Sequence, residues 1–116
     1  MNITPQHCVA TYDFLRQLKP FDRWKLPESD AIVFHIRNII GTHGKYQHDG
    51  KEHNITISSA LVDSPASLID TMAHEMIHLY QEIRGTDNKS QHNAEFRRLS
   101  VQVCKEFLLD RKRFIG

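Results

Sequence analysis

The stretch Asp70-Thr71-Met72-Ala73-His74-Glu75-Met76-Ile77-His78-Leu79-Tyr80-Gln81-Glu82-Ile83 decides how this chain is read. Its centre, His74 to His78, has the form H-E-x-x-H. On an α-helix, residues four apart differ by about 40° in angle and roughly 6 Å in height, so both imidazoles can reach one ion from a single face. Glu75 is turned about 100° from His74, close enough for its carboxylate to meet a water on that ion without taking a ligand's place. Two nitrogen ligands beside a general base are what metal-assisted hydrolysis requires.

A pattern this short arises by chance, so its helical context carries the weight. Ser64-Pro65 supplies an N-cap followed by proline at the first helical position, and Gly85 supplies a stop. Between them Ile69, Met72, Ala73, Met76, Ile77, Tyr80 and Ile83 recur at helical spacing. That apolar stripe lies beside the line Thr71, His74, His78, which places the histidines at the margin of a buried face.

Two histidines do not complete a catalytic zinc site; a third protein ligand is expected, with water in the fourth position. A metzincin would carry Gly and His three and six residues after His78, where this chain has Gln81 and Arg84. Glu82 continues the histidine line but lies about 12 Å along the axis from His74. Asp87, Glu95 and His92 remain. His92 is the strongest, because it stands at the mouth of the last helix, after a loop long enough to turn back, and its imidazole matches the other two.

Outward from this core the elements follow in order. Thr4-Pro5 opens a first helix with Cys8, Tyr12, Leu15 and Leu18 on one face, ending before Pro20. Phe21 to Leu26, with Trp24, reads as an irregular connector whose aromatics pack onto the helices. Ala31 to Ile40 reads as a buried strand, Lys45 to His48 as a short second one, and His53 to Ser58 as a third, with Asp49-Gly50 as a hairpin turn. A polar connector, Thr86 to Gln91, leads to a last helix with Phe96, Leu99, Val103, Phe107 and Leu108 inward and Ser90 or Asn93 as cap. The expected fold is α+β: one domain over residues 1–116, core about 5–110, holding an N-terminal helix, a small antiparallel three-stranded sheet, the H-E-x-x-H helix and a C-terminal helix.

Composition fits a globular chain of 116 residues, 40% hydrophobic and 25% charged. No apolar run approaches a membrane span and no basic-then-apolar leader opens the chain, so an intracellular protein without membrane association is expected. Cys8 and Cys104, with no C-x-x-C, exclude a cysteine-based zinc ribbon and read as small buried thiols. Net charge is +1, yet residues 84–116 hold 8 Lys/Arg against 4 Asp/Glu, with Arg97-Arg98 and Arg111-Lys112-Arg113 as clusters. A DNA contact through this basic C-terminal helix is one reading, a solvated face the plainer one.

His74-Glu75-Met76-Ile77-His78, followed by His92-Asn93-Ala94-Glu95-Phe96, resembles the SprT-like metallopeptidase domain, the family of the Spartan proteases. That family pairs H-E-x-x-H with a downstream His-Gly-x-x-Phe, and the lead-in Leu68 to Ala73 and the strand region with Gly44 sit where it places them. The family's glycine is Asn93 here, and asparagine tolerates unusual backbone angles. The C-terminal zinc ribbon of many bacterial members has no counterpart in this sequence, which points to a bare catalytic domain.

The resemblance implies a zincin-like fold and a zinc-dependent endopeptidase, acting in the Spartan branch on proteins crosslinked to DNA. His74, His78 and His92 would hold Zn²⁺ and Glu75 would be the general base. A substrate strand is expected along the sheet edge from Gly44 to His48. The competing reading is a zinc-stabilised module that binds DNA or protein without catalysis; Glu75 argues against it, since a structural site needs no base. Asp70 is a candidate to orient His74 or a plain first-turn acid. Tyr80 is expected in the core, His7 in solvent, and His35, His43, His48 and His53 at surface or hairpin positions.

Overall fold

The computed structural model of this chain describes residues 2–86, 92–107, 109, 112 and 114. The first helix, α1 (Pro5–Arg16), begins at its expected cap. Thr4 Oγ1 accepts from the His7 amide, and His7 Nδ1 accepts from the Thr4 amide at 3.0 Å. His7 is therefore not a solvated side chain; it is the return half of a capping box, a place more often held by Glu or Gln. Cys8, Tyr12 and Leu15 face the core, but the helix stops at Arg16 and leaves Leu18 exposed. Arg16 Nε donates to the Leu26 carbonyl at 3.1 Å and the Tyr12 hydroxyl to that of Pro27, which lays the connector along α1. Within that connector Phe21 is buried and Trp24 stacks on Tyr80 at 4.3 Å.

Three strands follow: β1 (Ile32–Arg37), β2 (Gly44–His48) and β3 (His53–Ser58). Their order is β1-β3-β2. The sheet is mixed where an antiparallel one was expected: β2 and β3 pair antiparallel, Tyr46 opposite Ile55, whereas β1 and β3 run parallel, Phe34 opposite Ile55. The hairpin at Asp49-Gly50 dictates only the β2–β3 pair. Asp49 Oδ1 accepts the Lys51 and Glu52 amides, and Gly50 takes φ +90°. Residues 38–43 carry the chain past the place that β3 later fills, so β1 ends at Arg37 and Ile40 lies 81% exposed in the crossover. Ser58, fully buried, pins that crossover. Its amide donates to the His43 carbonyl at 2.8 Å and its hydroxyl to that of Ile39, while the Ser59 amide reaches the Arg37 carbonyl at 2.9 Å.

The long helix α2 (Pro65–Arg84) carries the motif. Ser64 caps it through a reciprocal bond with Ser67, Pro65 opens it, and Gly85 closes it at φ +73°, where a side chain would be strained. Leu68, Met72, Ala73, Met76, Ile77 and Leu79 are buried against Ile55 and Ile57 of the sheet, Tyr12 and Leu15 of α1, and Phe96, Leu99 and Val103 of α3 (Ala94–Phe107). Ile83, expected inside, is 46% exposed, because the partners of the stripe end a turn earlier. Asn93 caps α3, its Oδ1 accepting the Phe96 amide at 2.8 Å. Cys8 and Cys104 are both buried thiols, and burial pushes the Cys8 thiol up to about 11. Among the described residues no helix is long and apolar enough to cross a membrane. The result is one α+β domain wrapped around α2. Asp87, Ser90, Leu108, Arg111 and Arg113 lie outside the described residues.

Candidate metal centre

Helix α2 is flanked on every side, and this sets the electrostatics of its polar face. Glu75 is 3% exposed and His78 8%, while His74 and His92 are half-buried. The helical register brings His74 and His78 together, ring centroids 5.1 Å apart. The turn into α3 brings His92 back over them, so that one nitrogen from each of the three rings lies within 4.8 Å of the others. Phe96, in the first turn of α3, is the floor: it stacks on His78 at 4.5 Å and on His92 at 4.6 Å, and meets His74 edge-on at 4.9 Å.

Two observations test whether this cluster suits a metal. His74 Nε2 and His92 Nε2 are 3.3 Å apart. Bonds of about 2.0–2.1 Å to a tetrahedral ion hold two nitrogens roughly 3.3 Å from each other, so the spacing is that of neighbouring ligands. His74 Nδ1 donates to the Phe114 carbonyl at 2.7 Å, and a carbonyl only accepts. The proton therefore sits on Nδ1 and the Nε2 lone pair faces the cluster. Burial also keeps the rings neutral. Desolvation, with the facing imidazoles, holds His78 down at about 3; desolvation, partly opposed by the Phe114 carbonyl, holds His74 at about 4; desolvation and Arg97 lower His92. Neutral imidazole is the form that ligates. The donor set fits.

Glu75 stands beside the triad on α2, its carboxyl pushed up to about 8 by burial. A divalent cation next to it would pull it back toward the ionised form. Gly44, the first residue of β2, comes close to that carboxyl. A Cβ there would sit 3.4 Å from Glu75 Oε2, and 2.8 Å from both the Thr56 carbonyl and Thr71 Cγ2. The missing side chain is what lets the edge strand run past the carboxylate.

The remaining candidates are engaged elsewhere. Glu95 accepts from Gln81 and Thr86 and pairs with Arg84 at 3.5 Å, so it faces away from the triad. Glu82 pairs with His48 at 3.4 Å. Asp70 is buried, but the acceptor on His74 Nδ1 is Phe114 rather than Asp70. His35 bonds Asn54 at 2.9 Å and His53 bonds the Tyr46 hydroxyl at 2.7 Å. His43 is exposed just ahead of Gly44, near enough for its charge to depress His74 further. Phe114 was illegible in the sequence: a carbonyl acting from forty residues away leaves no residue-type signal.

A three-stranded sheet laid on a helix that bears H-E-x-x-H, with the third imidazole delivered by the next helix, is a zincin-like, metalloprotease-like arrangement with a histidine cluster that could hold a metal. The family model of SprT-like proteins matches residues 12–113, and the chain belongs to the SprT-like family. A search of curated proteins gave no match.

Proposed function

We propose that this protein is a zinc-dependent peptidase in which His74, His78 and His92 hold the ion and Glu75 is the general base. The convergence of the three imidazoles beside a buried carboxylate carries this reading. When bound, zinc would polarise the scissile carbonyl and acidify its water toward pKa 7. Glu75 takes the proton from the attacking water and delivers it to the leaving amine nitrogen. Phe96 holds the imidazole planes, and the Phe114 carbonyl holds the tautomer of His74. Substrates among DNA-associated proteins follow from the family resemblance, and the exposed Arg97 and Lys105 of α3 offer cations for such an encounter.

The test is cleavage of an unfolded protein by the purified chain, with and without single-stranded DNA. Activity is expected to vanish with a zinc chelator and return on adding Zn²⁺; cleavage indifferent to chelation would overturn the reading.

The edge of β2 supports a substrate strand paired along Gly44–His48, next to Glu75. Gly44→Ala is expected to lose about 1–3 kcal/mol of stability, because the new methyl meets the β3 backbone, which cannot shift cheaply. It should also raise KM for peptides. Denaturant melts and Michaelis curves check both; an unchanged KM in a folded variant would count against the strand-pairing mode.

A further inference from the structure

Gln81 follows His78 by three residues on α2 and shares the helix face of the two histidines, yet it is no ligand itself. It is fully buried. Its Oε1 meets no hydrogen-bond donor among the described residues, a state that costs free energy in an interior. What offsets this is its amide nitrogen, which donates to Asn93 Oδ1 at 2.9 Å and to Glu95 Oε1 at 3.0 Å. Asn93 is held from three sides: Oδ1 also caps the Phe96 amide at 2.8 Å, and Nδ2 donates to the Thr86 carbonyl at 3.2 Å. Thr86 in turn donates its hydroxyl to Glu95 and its amide to the Gln81 carbonyl at 2.9 Å. Both ends of the segment between α2 and α3 are thus tied in one knot, and His92 is the residue next to it.

The geometry points to Gln81 and Asn93 as positioning residues that set the backbone of His92, so that the third imidazole is already in place before an ion arrives. This rests on the metal-site reading above. His92 itself is on neither regular element, and a donor on a loose turn would have to be ordered at binding, which weakens affinity. The bond from α2 through Gln81 to Asn93 does that ordering during folding instead. It also accounts for asparagine at position 93: the residue both caps α3 and receives the clamp, whereas glycine could do neither with a side chain.

The experiment is zinc affinity by competition with a chromophoric chelator, together with the visible spectrum of the Co²⁺-loaded protein and the melting curve of the metal-free one. Gln81→Met keeps the volume and removes both donors; Asn93→Gly removes the acceptor and the cap; Asn93→Asp keeps acceptor and cap but gives up the Nδ2 donor to the Thr86 carbonyl. Gln81→Met and Asn93→Gly are expected to weaken zinc about 10–100-fold, the range seen when residues behind metal ligands are changed. Asn93→Asp should weaken zinc less than Asn93→Gly, since it loses only the tie to the Thr86 carbonyl. Folded Gln81→Met, or folded Asn93→Gly if the first does not fold, with parental zinc affinity and an unaltered Co²⁺ spectrum would overturn the proposal, leaving only a helix-packing role. Failure of the metal reading itself looks different: the parent protein and His78→Ala would then bind zinc equally weakly.

Discussion

Glu75→Gln is expected to abolish peptide hydrolysis, by about 10²–10⁴-fold in kcat, while zinc content and fold are kept. The amide has the shape of the carboxylate and fits a site that is 3% exposed, but it cannot take a proton from water. Burial already disfavours the charged carboxyl there, so the metal-free variant should melt no lower than the parent. Metal analysis, a thermal melt and a cleavage assay on one preparation decide the matter. A variant that cleaves at the parental rate with zinc bound would remove Glu75 from the chemistry. One that loses zinc along with activity would instead place the carboxylate among the ligands.

The second large effect is on stability. An ion that binds only the folded chain stabilises it by about 4 kcal/mol when supplied at a thousandfold over its dissociation constant. For a chain of 116 residues that is a melting shift on the order of 15 °C. Stripping zinc should lower the melting temperature by that much without unfolding the protein at room temperature, because the neutral rings do not repel one another and Phe96 packs them together. His92→Ala should erase most of the shift, since two imidazoles on one helix face leave the ion half-bound. Identical melting curves with and without zinc in the parent protein would mean that the cluster is a packed aromatic core and nothing more.

What could be read in advance was local. The caps of α1 and α2, the glycine at position 85, the hairpin turn and the H-E-x-x-H register each depend on residues within a few positions of one another, and each is found where the sequence places it. The pairing of β1 with β3 was not legible, because strand order is decided by the crossover of residues 38–43 and by the bonds of Ser58, which no periodicity records. His7 hides its role for a subtler reason: the return bond of a capping box usually comes from Glu or Gln, and here an imidazole nitrogen does the same work. At the site, His74 and His78 follow from helical geometry alone. The approach of His92 needed a turn whose inner ties, Gln81 to Asn93 and Thr86 to Glu95, join residues that look like ordinary surface polars. The Phe114 carbonyl is further still from any signal.

The middle position of β3 has a bearing on how the molecule is made. Of the three strands β1 is made first and β2 second, yet the two are not neighbours in the sheet. Only when the ribosome has released residue 58 can the gap between them close, and α2 is the very next element to appear. All three strands of the platform are therefore made before the helix that bears His74, Glu75 and His78, whereas His92 and Phe96, which complete the cluster, follow it in the chain.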